Sequence, residues 1–345
     1  MKMRKISWEE YLKFIEKNDR LIIEDQEISL EPIRVERLLP VAEELTDVST
    51  TVWSFPKRGS WATHKGDYRG NWPPQMARAL ITMYTEPGEL VLDQMCGSGT
   101  TCIEARLLGR NCIGVDINYN AVILTLHRLY YLEKYAREFS NSTSSILSYF
   151  SNYSADELSK TIKNVLSTRS EIYLGDARNL SEIKNESVDL IATHPPYYRI
   201  IRYGENFVPG DLSRARNLEE YLKWMREIAE ECYRVLKPGK YCAILIGDTR
   251  AHKHYVPISH YVLEVFLDAG FILKEEVVKI QHKMKTTREV WSKIKNRDFL
   301  LIYHEKLFVF RKPSSEKERD KYRYSSKLLS LENVLGTFKR KRVVQ

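Results

Sequence analysis

Two short stretches carry residue types and spacings that could do chemistry. Asp93-Gln94-Met95-Cys96-Gly97-Ser98-Gly99-Thr100 follows the apolar run Leu90 to Leu92, and Thr193-His194-Pro195-Pro196-Tyr197 follows Val188 to Ala192. A Gly-X-Gly turn between a strand and a helix lets the backbone approach a ligand closely and offers it free helix N–H groups. A Pro-Pro-aromatic turn suits a different task. The nitrogen of an exocyclic amino group is a poor nucleophile because its lone pair is delocalised into the ring. Acceptors that draw its hydrogens out of plane restore the lone pair. The carbonyl of Pro195 is held rigidly by the proline pair, the imidazole of His194 can accept if the nitrogen facing the group is unprotonated, and Tyr197 can stack on a planar ring.

Further acids stand where a nucleotide-like methyl donor would need them. Asp116 ends the next apolar run, Asn111 to Val115, where a carboxylate can accept from ribose hydroxyls. Gly175-Asp176 ends a third run, Glu171 to Leu174, placing a carboxylate where an adenine amino group could bind. Only two glycines mark the turn, which does not fit the three-glycine pyrophosphate turn of dinucleotide enzymes. The set points to S-adenosyl-L-methionine, with Asp93, Met95, Cys96, Gly97, Gly99, Thr100, Asp116, Ile117, Asp176, Ala177 and Thr193 around the cofactor. His194, Pro195, Pro196 and Tyr197 form the catalytic turn.

The elements that must position these groups alternate. Strands at 90–93, 111–116, 171–174, 188–192 and 241–246 are interleaved with helices at 75–84, 100–108, 120–139, 218–236 and 258–269, the fourth helix stopped by Lys237-Pro238-Gly239. Such alternation implies a mostly parallel sheet with helices on both faces. Leu300 to Tyr303 and Leu307 to Phe310, separated by His304-Glu305-Lys306, read as a closing antiparallel hairpin. Residues 1–50 read as an N-terminal helical extension: a helix from Trp8 to Glu16, a short apolar segment, and a charged helix ending near Leu45. Trp53 to Pro74 reads as an ordered loop, about 140–170 as an insertion with a helix from Ala155 to Leu166, and 313–345 as a basic tail.

The 345 residues, 43% hydrophobic and 11% aromatic, suffice for a substantial core. No apolar run reaches membrane-spanning length, and the basic start is followed by Trp8, Glu9 and Glu10, unlike a signal peptide; a cytoplasmic protein is expected. Five cysteines without a Cys-X-X-Cys pair argue against a disulfide framework, and neither they nor the eight histidines show metal-ligand spacing. The net charge of +8 is concentrated: residues 311–345 hold eleven Lys or Arg against four acids, and 274–297 hold eight against three. Solvated faces give one reading of these runs; attraction to nucleic-acid phosphates is the other.

At these residues the chain resembles the amino-methyltransferases that modify N4 of cytosine or N6 of adenine in DNA. Asp93 to Thr100 is similar to their cofactor motif Asp-Pro-Phe-X-Gly-Ser-Gly-Thr, and 193–197 to their catalytic [Asp/Asn/Ser]-Pro-Pro-[Tyr/Phe/Trp]. Trp53 to Ile81 resembles the segment over the methionine end of the cofactor. The resemblance spans about residues 50 to 310 and implies a Rossmann-like class I methyltransferase fold: an α/β domain over 51–312, its mostly parallel seven-stranded sheet ending in an antiparallel hairpin. It implies methyl transfer to a base in nucleic acid, with N4 of cytosine in DNA placed first and N4-cytidine or another amino group of a structured RNA such as rRNA or tRNA as the alternative. Two features depart from the pattern. His194 stands where the family carries Asp, Asn or Ser, and only the basic segment at about 250–299 is available for target recognition, with Tyr198, Lys283, Lys285 and Arg288 as substrate contacts. The amide of a protein side chain demands a similar turn, and a non-catalytic nucleic-acid binder is a third reading. The sequence sets no oligomeric state.

Overall fold

The computed structural model describes residues 1–23, 26–45, 47–140, 154–198, 210–282, 293 and 298–327. Lys283, Lys285, Arg288, most of the inserted segment before Ala155 and the end of the basic tail therefore lie outside the described residues. In chain order the strands are β1 (Arg4–Lys5), β2 (Arg20–Ile23), β3 (Gln26–Ser29), β4 (Val52–Ser54), β5 (Leu90–Asp93), β6 (Asn111–Asp116), β7 (Ser170–Leu174), β8 (Val188–Thr193), β9 (Leu236–Ile246), β10 (Thr249–Ala251), β11 (His254–Val256), β12 (Ile272–Ile280) and β13 (His304–Arg311). The helices are α1 (Trp8–Ile15), α2 (Pro74–Tyr84), α3 (Thr100–Leu107), α4 (Tyr119–Ser140), α5 (Ala155–Ser167), α6 (Leu218–Val235), α7 (Ile258–Asp268), α8 (Glu316–Lys321) and α9 (Arg323–Ser326).

Nine strands form the main sheet in the order β1-β7-β6-β5-β8-β9-β13-β12-β4. The seven from β7 to β12 are the ones the resemblance implies. The other two are short edge additions: β1 runs antiparallel to β7, and β4 runs parallel to β12. Neighbours from β7 to β9 are parallel, whereas β13 is antiparallel to both β9 and β12. Successive strand residues feed opposite faces. Val91 joins the apolar cluster under α2 to α5 and Leu92 the cluster under α6 and α7; Ala192 and Ile191 divide the same way. Burial on both faces is why these strands read as continuous apolar runs.

Three expectations need correction. The segment 300–303 is not a strand, and His304-Glu305-Lys306 is not a turn: those residues begin β13, whose hairpin partner is β12, with Ile280 opposite His304. Lys237-Pro238-Gly239 does end α6, but inside β9, where a register break separates Leu236, opposite Val188, from Tyr241, opposite Leu190. A bulge accommodates the proline, which cannot donate to a ladder. Among the described residues of 1–50 the second helix is absent. The antiparallel pair β2 and β3 and a 3-10 turn at Ala42–Glu44 are present instead. Only α1 follows the helical expectation, capped by Ser7, whose hydroxyl accepts from the Glu10 amide at 3.0 Å.

The Gly- and Trp-rich loop between β4 and α2 is fastened to α3 by one carboxylate. Glu104, fully buried, accepts from the Trp61 indole at 2.7 Å and the Arg78 guanidinium at 2.9 Å, and pairs with His64 at 2.8 Å. Cys102 and Cys112 form a disulfide between α3 and β6, with Cα atoms 5.4 Å apart; Cys96, Cys232 and Cys242 are free and buried. The cysteine count and spacing argue against a disulfide framework; the structure nonetheless holds this one short-range link, which the sequence did not mark. Among the described residues no helix is long and apolar enough to cross a membrane, and no three His, Cys, Asp or Glu side chains cluster to hold a metal ion.

Candidate active site

The glycine turn is compressed from two sides. Gly97 and Gly99 have φ of +51° and +80°, and a Cβ on Gly99 would lie 2.8 Å from the Thr125 methyl of α4. A side chain at either position would meet backbone strain, and at Gly99 also a clash. Thr125 donates to the Gly97 carbonyl at 2.8 Å, which locks the turn onto α4.

Asp93 joins the two halves of the site. Its carboxylate accepts from the Thr101 hydroxyl at 2.6 Å, the Met95 amide at 3.2 Å and the Thr193 hydroxyl at 2.8 Å. One buried side chain thus ties the end of β5, the first turn of α3 and the end of β8, which delivers the Pro-Pro turn. Burial raises its pKa to about 6 despite those bonds. Asp116 is also buried and its pKa is raised to about 6 by burial. It accepts from the backbone amides of Gly97 and Asn118, both at 2.8 Å, leaving each oxygen a further lone pair.

A cleft of about 910 Å³ opens along the carboxyl ends of these strands. Of the cofactor positions read from the sequence, Asp93, Met95, Cys96, Gly97, Thr100, Asp116, Ile117, Asp176 and Ala177 line it. Gly99 and Thr193 do not; they act from behind, as the N-cap of α3 and the partner of Asp93. The cleft also takes in residues the sequence did not single out. Tyr68, Gly70, Asn71 and Trp72 come from the loop before α2, and Asp211 and Leu212 from the segment before α6. The loop before α2 carried a signal, its resemblance to the segment over the methionine end of the cofactor, though not at residue level. Nothing in the sequence marked 211–212.

Asp176 stands differently from its expected role as a free acceptor. Arg178 wraps it, donating from its amide and Nε to Oδ1, both at 3.0 Å, and from Nη2 to Oδ2 at 2.6 Å. The guanidinium also lies 4.8 Å from the Trp224 ring centre. An adenine amino group at this end would share the carboxylate with an arginine.

The catalytic turn is braced by a buried polar chain. His194 Nε2 lies 2.6 Å from the Tyr197 hydroxyl, which donates to Glu305 at 2.7 Å; Lys279 donates to the other Glu305 oxygen at 2.6 Å. Burial would raise the Glu305 carboxyl, but Lys279 and the hydrogen bonds it receives hold it below the usual range. Burial pushes His194 down to about 4, so the imidazole is neutral at pH 7. Its ring also hydrogen-bonds the Gly70 backbone and stacks on Trp72, centroids 6.1 Å apart. Both faces of the expected acceptor role are therefore altered: His194 borders the cleft, yet its polar atoms serve Tyr197 and the loop before α2.

Pro196 lines the cleft, and its carbonyl accepts from Tyr221 at 3.1 Å; Pro195 is buried beneath. Tyr197 is 9% exposed, and its ring is pressed against Gly247, just after β9. Tyr198 is half-buried with its ring 5.9 Å from that of Tyr221. The proposed substrate contacts Lys283, Lys285 and Arg288 are outside the described residues.

Comparison with known proteins agrees with this geometry. The DNA methylase family profile matches residues 5–125 and 188–341, and an RMKL-like methyltransferase domain matches 66–209. The type II methyltransferase M.BglII of Bacillus subtilis is 36% identical over 32% of this chain and 29% of its own length. The type II methyltransferase M.MjaI of Methanocaldococcus jannaschii is 28% identical over 47% of this chain and 62% of its own. A tRNA (guanine(10)-N2)-dimethyltransferase of Methanothermobacter thermautotrophicus is 24% identical over 64% and 48%. The chain thus spans less than two thirds of each of these relatives. Among solved structures, a SAM-dependent methyltransferase of Methanosarcina mazei aligns over 68% of this chain and 97% of its own, at 16% identity and a TM-score of 0.39. With the sheet order, the strand-end cleft and the profile covering most of its length, the chain belongs to the DNA methylase family, on the Rossmann-like fold of S-adenosylmethionine-dependent methyltransferases.

Proposed function

We propose that the protein transfers a methyl group from S-adenosylmethionine to the exocyclic amino nitrogen of a base in nucleic acid, N4 of cytosine in DNA. The observation that carries this reading is the Asp93 carboxylate, which binds the glycine turn and the end of β8 together and so sets donor and acceptor sites side by side. The donor supplies an electrophilic methyl on a sulfonium, and the chain supplies position. Asp116 has lone pairs left for two ribose hydroxyls. Met95, Cys96, Gly97, Thr100, Ile117 and Ala177 shape the cleft around the rest, and Arg178 shares Asp176 with the adenine. At the acceptor end Pro196 and His194 line the cleft, and behind them, in this reading, the Pro195 carbonyl draws an amino hydrogen out of the ring plane and the Tyr197 ring supplies a fixed aromatic wall. His194 holds that wall: its neutral imidazole steadies the Tyr197 hydroxyl and ties the turn to Gly70. A bound donor would give its methyl to the nitrogen and leave as the neutral thioether, and the nitrogen would shed a proton to water. Orientation supplies most of the rate.

The basic runs favour a phosphate-bearing partner. An RNA target is the second reading, supported by the RMKL-like match over 66–209 and by the tRNA methyltransferase among the relatives. Guanine N2 is delocalised like cytosine N4, so the same turn would serve. The test is transfer from methyl-labelled cofactor to total DNA and total RNA, followed by nucleoside mass analysis. N4-methylcytosine in DNA supports the first reading, label confined to RNA supports the second, and label in neither defeats both.

A further inference from the structure

Above the Tyr197 wall, two chain segments leave the sheet at the same edge and converge. One leaves β9 through Gly247, which touches Tyr197, and forms the hairpin of β10 and β11. The other enters β13 just before Glu305, which binds the Tyr197 hydroxyl. They meet where Arg250 donates from Nε and Nη2 to the Leu300 carbonyl at 3.1 and 2.7 Å. The Arg250 guanidinium lies 5.8 Å from the Tyr255 ring centre and 5.1 Å from that of Phe299. Its third donor, Nη1, reaches the Lys253 carbonyl at 2.9 Å. One arginine therefore fixes both segments.

What it fixes is unusual for a surface. Leu300 is 80% exposed, the most exposed of the large apolar side chains among the described residues. Its backbone is clamped, so the side chain projects into solvent from a rigid mount. The hairpin beside it closes on a tight turn and is anchored at the base. His252 and Lys253 have φ of +48° and +69°, as a two-residue turn between paired Ala251 and His254 requires. At the base, Asp248 accepts from the Ser259 amide and hydroxyl at 2.7 and 2.8 Å and from the Tyr255 hydroxyl. The tip carries Lys253, His252 and His254, all exposed, with Asp298 as the one acid paired there.

We infer that Leu300, mounted on Arg250, is a wedge that enters a DNA duplex beside the target base while Lys253 at the hairpin tip exchanges Asp298 for a flanking phosphate. This rests on the base-methylation reading above. A paired base cannot reach the Pro-Pro turn without leaving its stack, and the gap it leaves is apolar and one base thick. Leu300 is five residues from Glu305, so their backbones stand within about 18 Å of each other, given at most roughly 3.3–3.6 Å per residue. An apolar side chain inserted between base steps, with cations alongside for the backbone, is a known physical means of holding bases apart.

The test compares paired and unpaired targets. The site methylated in total DNA is built into a synthetic duplex, once correctly paired and once with the target base mispaired, and transfer by the parental protein and by Leu300→Ala is followed. A mispaired base is easier to extrude and needs the wedge less. Leu300→Ala should lose about tenfold or more in kcat/KM on the paired duplex and less than twofold on the mispaired one. Arg250→Met, which frees the mount, should show the same selective loss. Equal loss on both duplexes, or none on either, overturns the wedge while leaving the methylation reading intact. A parental protein that labels no DNA defeats the DNA reading and the wedge with it.

Discussion

Gly247→Ala would push the Tyr197 ring, the aromatic wall of the proposed acceptor site, without touching the strand-end cleft. A Cβ built on Gly247 lies 2.5, 2.8 and 3.1 Å from Cε2, Cδ2 and Cζ of the Tyr197 ring. Carbon atoms in contact prefer about 3.5–4.0 Å, so one of the two must retreat by about 1 Å. The ring has no slack to absorb this, because its hydroxyl is held at 2.6 Å by His194 and at 2.7 Å by Glu305. Overpacking of this kind costs about 1–3 kcal/mol of stability. A displacement of about 1 Å at a reacting centre can cost about a hundredfold in rate, equivalent to roughly 2.7 kcal/mol of barrier. We therefore expect Gly247→Ala to lower kcat about a hundredfold while cofactor affinity, measured by calorimetry, stays within twofold. Single-turnover methyl transfer on the labelled nucleic acid provides the rate. A variant that transfers at the parental rate would refute the idea that Tyr197 position limits the chemistry. A matched loss in cofactor affinity would show that the displacement is not confined to the acceptor side.

Asp116→Ala should weaken S-adenosylmethionine binding by about 1.5–3 kcal/mol, the worth of a charge-assisted hydrogen bond, and unchanged affinity by calorimetry would remove Asp116 from the ribose site. Because Asp116 and Asp93 titrate near 6 and the acceptor form is the ionised one, cofactor affinity in the parental protein should be flat above pH 6 and fall up to tenfold per unit per group below it. Asp116→Asn should make that fall shallower, which calorimetry across pH 5 to 8 reads directly. The sign for His194 is opposite in origin: its pKa drops from 6.5 to about 4 on folding, so the stability it contributes is complete above pH 6.5 and is lost as pH falls towards 4; denaturant melts over that range check it, and a histidine-free turn, His194→Asn, should lose less. Glu104→Ala leaves the Arg78 guanidinium and the Trp61 indole without their buried acceptor and should cost about 3–5 kcal/mol in urea unfolding, with the loop before α2 the first region to gain amide exchange.

The legible parts of this molecule were those whose physics is local. Leu90–Asp93 and Asn111–Asp116 could be bounded from sequence because apolar runs end abruptly at an acid or a glycine. Much of the cleft lining could be named because turn glycines and strand-end acids announce themselves. The misreadings came from long-range pairing. Glu305, between His304 and Lys306, looks like a solvated turn until Lys279 and Tyr197 are brought to it from 26 and 108 residues away. Its burial is a property of the assembled sheet, and no window of sequence contains it. Arg178, two residues from Asp176, was near enough to be suspected, but whether an arginine points to solvent or back onto its neighbour depends on Trp224 in a later helix. The expected second N-terminal helix failed for a similar reason. The Glu44 carboxylate accepts from Arg37, at 2.5 and 2.6 Å, and Gln75 donates to the Glu44 carbonyl, so tertiary partners stop the turn after three residues.

The brace on the catalytic turn also has a timing. All strands and side chains that line the cofactor cleft lie before residue 229, whereas Lys279 and Glu305, which hold Tyr197, come from β12 and β13, among the last segments of the sheet to be synthesised. On the ribosome, where a chain grows at about 5–20 residues per second, the residues of the cleft are therefore made several seconds before those that anchor Tyr197, and the Tyr197 ring gains its anchor only once the final antiparallel pair has closed.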